Sequence, residues 1–296
     1  MNYQLNQTNS ELGLETKLSQ AIVERTQTKS DKSVVTNFRA QPPLRFINFQ
    51  GEAVPYIAIE GVKGVGKGTV LNLVRQALEK CGIRALALNP TQALASDHYW
   101  EQIDQALPLR HLDWWKERLY AARSQVHSHR VYEDLEQCNQ AQQKVDVILG
   151  DRSILTSLVT RWPQEDSLDH VVSAYKRVRE LESSIPLPDQ VIYLDADLDT
   201  INERLHGRDR SYGLEDETQA RISEAMQAYD HLASLASVKN QPFAHIQWTY
   251  LDAYQPLEYT VNKVLELLFK AMHLSPESAA QRRLSYLEHI PNAKAV

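Results

Sequence analysis

Cysteine is almost absent. The chain has two among 296 residues, Cys81 and Cys138, which argues against a disulfide framework or a thiolate zinc site and fits a reduced, cytoplasmic setting. No apolar run is long enough to span a membrane. The first twenty residues, MNYQLNQTNSELGLETKLSQ, lack both a basic start and an apolar core, so no secretory leader is expected. Excess positive charge is missing too. A formal net charge of −6 argues against a protein that coats a nucleic-acid polymer, though not against a local basic pocket. No internal repeat or low-complexity block is visible. Apolar residues make up 43%, ample for a buried core. Glycine is sparse, ten in all, yet Gly61, Gly64, Gly66 and Gly68 fall within eight residues.

That cluster sits in YIAIEGVKGVGKGT, Tyr56 to Thr69. An apolar, strand-forming run leads in, and VLNLVRQALEK follows with Val70, Leu73, Val74, Ala77 and Leu78 at helical spacing. Strand, G-x-x-x-x-G-K and helix together form the context of a phosphate-binding loop. Its glycines let several N–H groups turn toward one anion, and the helix adds its positive end. The expected nucleotide-binding residues are Gly61, Val62, Lys63, Gly64, Val65, Gly66, Lys67, Gly68 and Thr69. Lys67 supplies a mobile charge for the donor phosphates. Gly68 stands where a hydroxyl often follows the lysine, and Thr69 carries a hydroxyl one residue later.

Residues 1–50 are polar and read as an extension, partly disordered or docked. Residues 51–273 read as the domain, and 274–296 as a tail. Strands are expected at Tyr56–Ile59, Ile83–Leu88, Val145–Gly150, Gln190–Asp195 and Ala244–Leu251. Helices are expected at Val70–Lys80, over about 98–142 with a break near Pro108, and at Ser167–Ser183, Leu198–His206, Ala220–Leu235 and Pro256–Met272. Strands alternating with helices predict an α/β fold in three layers, a five-stranded parallel sheet between helices. Such sheets bind ligands outside their carboxyl ends. The glycine loop, Asn89-Pro90 and Asp151-Arg152 all fall there.

Four stretches resemble the thymidylate kinase family, within the P-loop nucleoside and nucleotide kinases. They are the glycine loop, LYAARSQVHSH, VDVILGDRSILTSLVTRW and PDQVIYLDADLDTINERLHGRDR; LDAYQPLEYTVNKVLELL is a fainter fifth. The resemblance covers about residues 55–272. It implies Mg²⁺-dependent phosphoryl transfer from ATP to a small nucleotide, thymidylate-like, in nucleotide biosynthesis. It implies that Lys67 holds donor phosphates and that Asp151, with Thr69, holds Mg²⁺ directly or through water. Arg152 and Arg123, with Asn89 and Thr156, would bind the acceptor. Arg204, Arg208 and Arg210 would close as a lid, the last two reaching the transferring group. A homodimer through the long helices is implied as well.

The departures lie in the acceptor half. Lys63 stands where the family has an acid, and Leu88-Asn89-Pro90 where it has R-E-P. Leu119 replaces a stacking Phe beside Tyr120, and Thr160 replaces a Tyr, while Thr156 keeps a hydroxyl. Two other functions therefore stay open: a deoxynucleoside kinase, suggested by Asp151-Arg152-Ser153, and a non-catalytic nucleotide-binding regulatory module. Asp151-Arg152 also reads as a surface ion pair, and the lid arginines, beside Asp209, Glu215, Asp216 and Glu217, as a solvated loop. His127 and His129 are expected on the surface, on opposite faces of their helix, and Trp114 and Trp115 at the core and rim of the helical layer.

Overall fold

A computed structural model describes residues 44–92, 113–160, 185–207, 218–237 and 243–274, with the backbone alone for 113–122 and 160. All lie in the second of the chain's two units, Pro42–Val296. Seven strands and six helices are described. They run β1 (Phe46–Ile47), β2 (Ala53–Val54), β3 (Tyr56–Glu60), α1 (Lys67–Lys80), β4 (Ala85–Leu88), α2 (Asp113–Gln140) and β5 (Val147–Asp151). Then come α3 (Ile154–Thr160), β6 (Gln190–Asp195), α4 (Leu198–His206), α5 (Gln219–Ala236), β7 (Gln247–Asp252) and α6 (Leu257–Ala271).

Five strands form one sheet in the order β4-β5-β3-β6-β7. Every neighbouring pair is parallel. The expected parallel α/β architecture is the one observed. β3 lies at the centre and is buried along its whole length, as the apolar run Tyr56–Ile59 requires, and Glu60 at its end is buried with it. Its alternate residues serve two packing clusters. Ile57 and Ile59 join the larger one, with α1 and α6 residues such as Val74, Leu78, Val264 and Leu268. Tyr56 and Ala58 join the smaller, with Phe46, Val131 and Leu135. The chain leaves β3 toward β5 and β4 and returns to β6 on its other side. The carboxyl end of β3 is therefore the switch point of the sheet, where ligands bind in such folds.

The boundaries differ from expectation for local reasons. α1 begins at Lys67 rather than Val70, because Gly66 in a left-handed conformation is already its cap (φ 104°). It ends as expected at Cys81-Gly82, where Gly82 takes φ 66° and the Ile83 amide donates back to Leu78. β5 extends to Asp151, one residue further than expected. β7 starts at Gln247 because Phe243–His245 form a turn. The hairpin β1–β2 was not foreseen. Phe46 is 1% exposed and packs edge-on against Tyr56 at 5.9 Å, so part of the stretch read as an extension belongs to the core. The helix expected at Ser167–Ser183 lies outside the described residues, as does the long helical region as far as residue 112.

Candidate active site

The loop between β3 and α1 is shaped by close packing. At Gly61 (φ 140°), a Cβ would lie 2.7 Å from the Leu194 carbonyl oxygen of β6. The loop's other flank meets α4, whose Ile201 and Leu205 side chains lie 3.0 Å from where a Gly64 Cβ would sit. Arg204 of α4 then clamps the loop. Its guanidinium donates to the Val65 carbonyl at 3.0 Å and to the Ala253 carbonyl at 2.8 Å, in the turn after β7. Val62 and Val65 are buried, and Lys63 is half-buried. The start of α1 has no side-chain cap and no acid in its first turn. Its amides thus keep their capacity for an anion.

Lys67 is 7% exposed, and its ammonium donates to the carbonyls of Gly61 (2.7 Å) and Val62 (2.6 Å). The loop thus folds around its own lysine. Gly68 and Thr69 are exposed on the first turn. Beside Gly68 opens a hollow of about 120 Å³. Asn72 and Arg75 of α1, Asn89 after β4 and Asp151 at the end of β5 line it. Residues 68, 89 and 151, far apart in sequence, therefore share one space. Thr69 does not line it.

Arg152 follows in a left-handed conformation, φ 72°, unusual for a residue with a side chain. Gly150 makes that turn possible, since a Cβ there would meet the Arg152 carbonyl oxygen at 2.7 Å. The Arg152 Nη1 donates to the Gly61 carbonyl at 3.5 Å and to the Thr156 hydroxyl at 3.4 Å, both long contacts. Arg152 thus sits against the loop rather than in a plain surface pair with Asp151. Arg123 of α2 is 7% exposed, so it is not a solvated helix residue. Next to it, Ser124 donates to the Pro90 carbonyl (3.4 Å) and the His127 ring nitrogen Nε2 contacts the Gln92 carbonyl oxygen (2.9 Å). These bonds strap the loop after β4 onto α2. His127 is therefore buried, contrary to expectation, while His129 is exposed and pairs with Glu133. Arg208 and Arg210 lie outside the described residues, as do the side chains of Trp114, Trp115, Leu119 and Thr160.

Glu60 is the principal residue that sequence reasoning missed. It ends β3 and is 0% exposed. Its carboxylate accepts from Ser153 (2.6 Å), Tyr229 of α5 (2.8 Å) and Thr156. Thr156 is itself 3% exposed, so its hydroxyl is engaged inside the protein. Burial, then the Glu60 charge, pushes the Tyr229 phenol well above its ordinary range. The signal available in sequence was a lone acid inside an apolar strand, immediately before the glycines.

A glycine loop closed by a helical lysine, at the central strand of a parallel sheet ordered β4-β5-β3-β6-β7, defines a P-loop kinase fold. The thymidylate kinase family model matches residues 59–264, and the chain belongs to that family. It is thus a P-loop nucleotide kinase of the thymidylate kinase type. No curated protein matches the chain at a significant level. Among the described residues, no helix is long and apolar enough to cross a membrane.

Proposed function

We propose that the protein transfers the γ-phosphoryl group of ATP to a nucleoside monophosphate, dTMP to dTDP. The observation that carries this is the convergence of Lys67, Asp151 and Arg152 at the ends of adjacent strands, around one glycine loop. Phosphoryl transfer asks mainly for positioning and for cations around the moving charge. The loop amides and Lys67 would grip the donor phosphates; to reach them the ammonium exchanges the Gly61 and Val62 carbonyls for phosphate oxygens. Arg152 would hold the acceptor phosphate in its planar fork, with Arg123 approaching from α2. Arg208 and Arg210 would complete the cation set.

Mg²⁺ fits this arrangement. Asp151 is a half-buried carboxylate on the hollow beside Gly68, and hard cations favour such oxygen donors. Position 68 offers no hydroxyl and Thr69 faces solvent, so Asp151 would hold the ion with water as the other ligands. When bound, the ion neutralises charge on the phosphate oxygens. Asn89 sets the acceptor class. A nucleoside acceptor calls for a base to take its hydroxyl proton, and no carboxylate stands there; a monophosphate is already ionised. The homodimer expected of the family would use α2.

The test is ADP release with Mg-ATP against a panel of nucleosides and their monophosphates, with Lys67→Ala alongside. Turnover of dTMP that falls by roughly 10²–10³ in Lys67→Ala, the usual cost of one transition-state donor, is the expected result. Turnover of a nucleoside alone would replace the acceptor. ATP binding without transfer to any acceptor would make the protein a regulatory module.

A further inference from the structure

Burying a carboxylate costs several kcal/mol after relaxation, so a fully enclosed one calls for an account. At Glu60 no Lys or Arg pairs with the carboxylate among the described residues. Three hydroxyls from two segments converge on it instead: Ser153 and Thr156 at the start of α3, and Tyr229 in α5. Thr156 and Tyr229 share one carboxylate oxygen, and their own oxygens lie 2.8 Å apart. A hydroxyl has one proton. With the Thr156 proton given to Glu60, its lone pairs are left to accept, and the Arg152 Nη1 donates to that oxygen. The chain of donors runs from Arg152 through Thr156 to Glu60.

This differs physically from a direct ion pair. A guanidinium docked on a carboxylate is oriented but also neutralised, and it attracts a phosphate less. Through an intervening hydroxyl, the carboxylate sets the direction of the guanidinium and leaves the rest of its N–H donors for a phosphate. Arg152's strained backbone and its two long contacts show a side chain held in place with little of its bonding capacity used. Its Nε and Nη2 make no hydrogen bond among the described residues.

We propose that Glu60 is a positioning residue that aims Arg152 at the acceptor phosphate through the Thr156 hydroxyl, with Tyr229 fixing the carboxylate from α5. This rests on the nucleoside-monophosphate reading above. It also ties α5, the helix into which the segment carrying Arg208 and Arg210 leads, to the acceptor end of the site.

Calorimetry with dTMP and, separately, with ATP tests it in wild type, Glu60→Gln, Arg152→Lys and the double variant. Neither the Glu60 nor the Tyr229 side chain reaches solvent, so a change in dTMP affinity must pass through their neighbours. Glu60→Gln should weaken dTMP binding roughly tenfold, the scale of a hydrogen bond to a charged group, and leave ATP binding unchanged. In the Arg152→Lys background it should have little further effect, because the effect is transmitted through the guanidinium. Equal losses of dTMP and ATP affinity, or full additivity with Arg152→Lys, would overturn the proposal. If Glu60→Gln does not fold, Tyr229→Phe removes one donor from the same carboxylate, and its smaller loss should show the same dependence on Arg152. Wild type that binds dTMP without transferring phosphate would refute the kinase reading and leave this test standing. Turnover of dTMP with an additive cycle would refute the positioning role alone. Absence of any dTMP binding would refute both.

Discussion

Replacing Gly68 by Ser isolates the most unusual position of the phosphate loop. Gly68 is the second residue of α1, exposed, and a Cβ there meets nothing within 4 Å. Two effects are separable. Glycine in a helix interior costs about 0.8–1.0 kcal/mol relative to alanine, and in the first turn, outside the interior, we take about half of that. Gly68→Ala should therefore raise the melting temperature by about 1–2 °C, since 1 kcal/mol is worth about 2–4 °C in a domain of this size. Gly68→Ser should raise it by less, as serine is the poorer helix former. The second effect belongs to serine alone, because its hydroxyl enters the hollow that Asp151 lines. An added oxygen worth about 0.5–1.5 kcal/mol would lower the Mg²⁺ concentration for half-maximal turnover roughly two- to tenfold. Thermal unfolding and a Mg²⁺ titration at saturating ATP measure the two. A destabilised Gly68→Ala would refute the reading of the space around position 68. Identical Mg²⁺ curves for the two variants would refute the role given to the hollow.

At Gly61 the same substitution has the opposite outcome. A Cβ 2.7 Å from the Leu194 carbonyl, on a backbone with φ 140°, should cost more than about 2 kcal/mol and weaken ATP binding; urea midpoints for Gly61→Ala beside Gly68→Ala check the contrast. Alkaline pH should destabilise the fold. Burial holds the Tyr56 and Tyr229 phenols well above their ordinary range, and burial with the nearby Asp230 pushes Tyr250 up to about 12. These folded values exceed the unfolded one of about 10, so their stabilisation is complete below pH 10 and is lost as pH rises through the folded values. Urea midpoints should fall above that pH, and Tyr250→Phe should remove only Tyr250's own share of the fall, which lies between pH 10 and about 12, leaving that of the other phenols. Asp195, at the end of β6, has its carboxyl pushed up first by burial and then by Asp230. Its protonated form is the one favoured by folding, so the charged form costs stability, and Asp195→Asn should raise the melting temperature more at neutral than at acid pH.

The parts of the site read from sequence were those specified locally. The loop around Lys67 announces itself through glycine spacing between a strand and a helix, and Asp151-Arg152 through its place after an apolar run. Period and turn residues also sufficed for five strands, because a buried parallel strand is a short apolar block between breakers. Other features depend on distant partners. Glu60 meets groups 93, 96 and 169 residues away, so the lone acid after an apolar run marks the position while the hydroxyls that cage it cannot be read from its neighbourhood. Arg204 looked like a lid arginine because it begins a basic segment, yet its guanidinium binds main-chain oxygens of the loop and of the turn after β7. His127 was read from the polar stretch around it, whereas the strap to Gln92 buries it. The hairpin at Phe46–Val54 is too short for periodicity to show, and it docks through Phe46, packed on Tyr56 and Tyr132, and through the buried Val54.

The central place of β3 bears on how the molecule is made. It is the first of the five sheet strands to be synthesised, yet its partners arrive late. Tyr56 pairs with Ile148 and Ile57 with Gln190, so the glycine loop leaves the ribosome long before either flank of its strand exists. Contacts of such long range are slow to form. Nascent chains ending before β6 leave at least one edge of β3, apolar from Tyr56 to Ile59, without its partner strand, a target for chaperones rather than a nucleotide site. Release of the β6 segment from the ribosome is the moment at which the carbonyl of Leu194 can close over Gly61, and a nucleotide can stabilise the fold only after it.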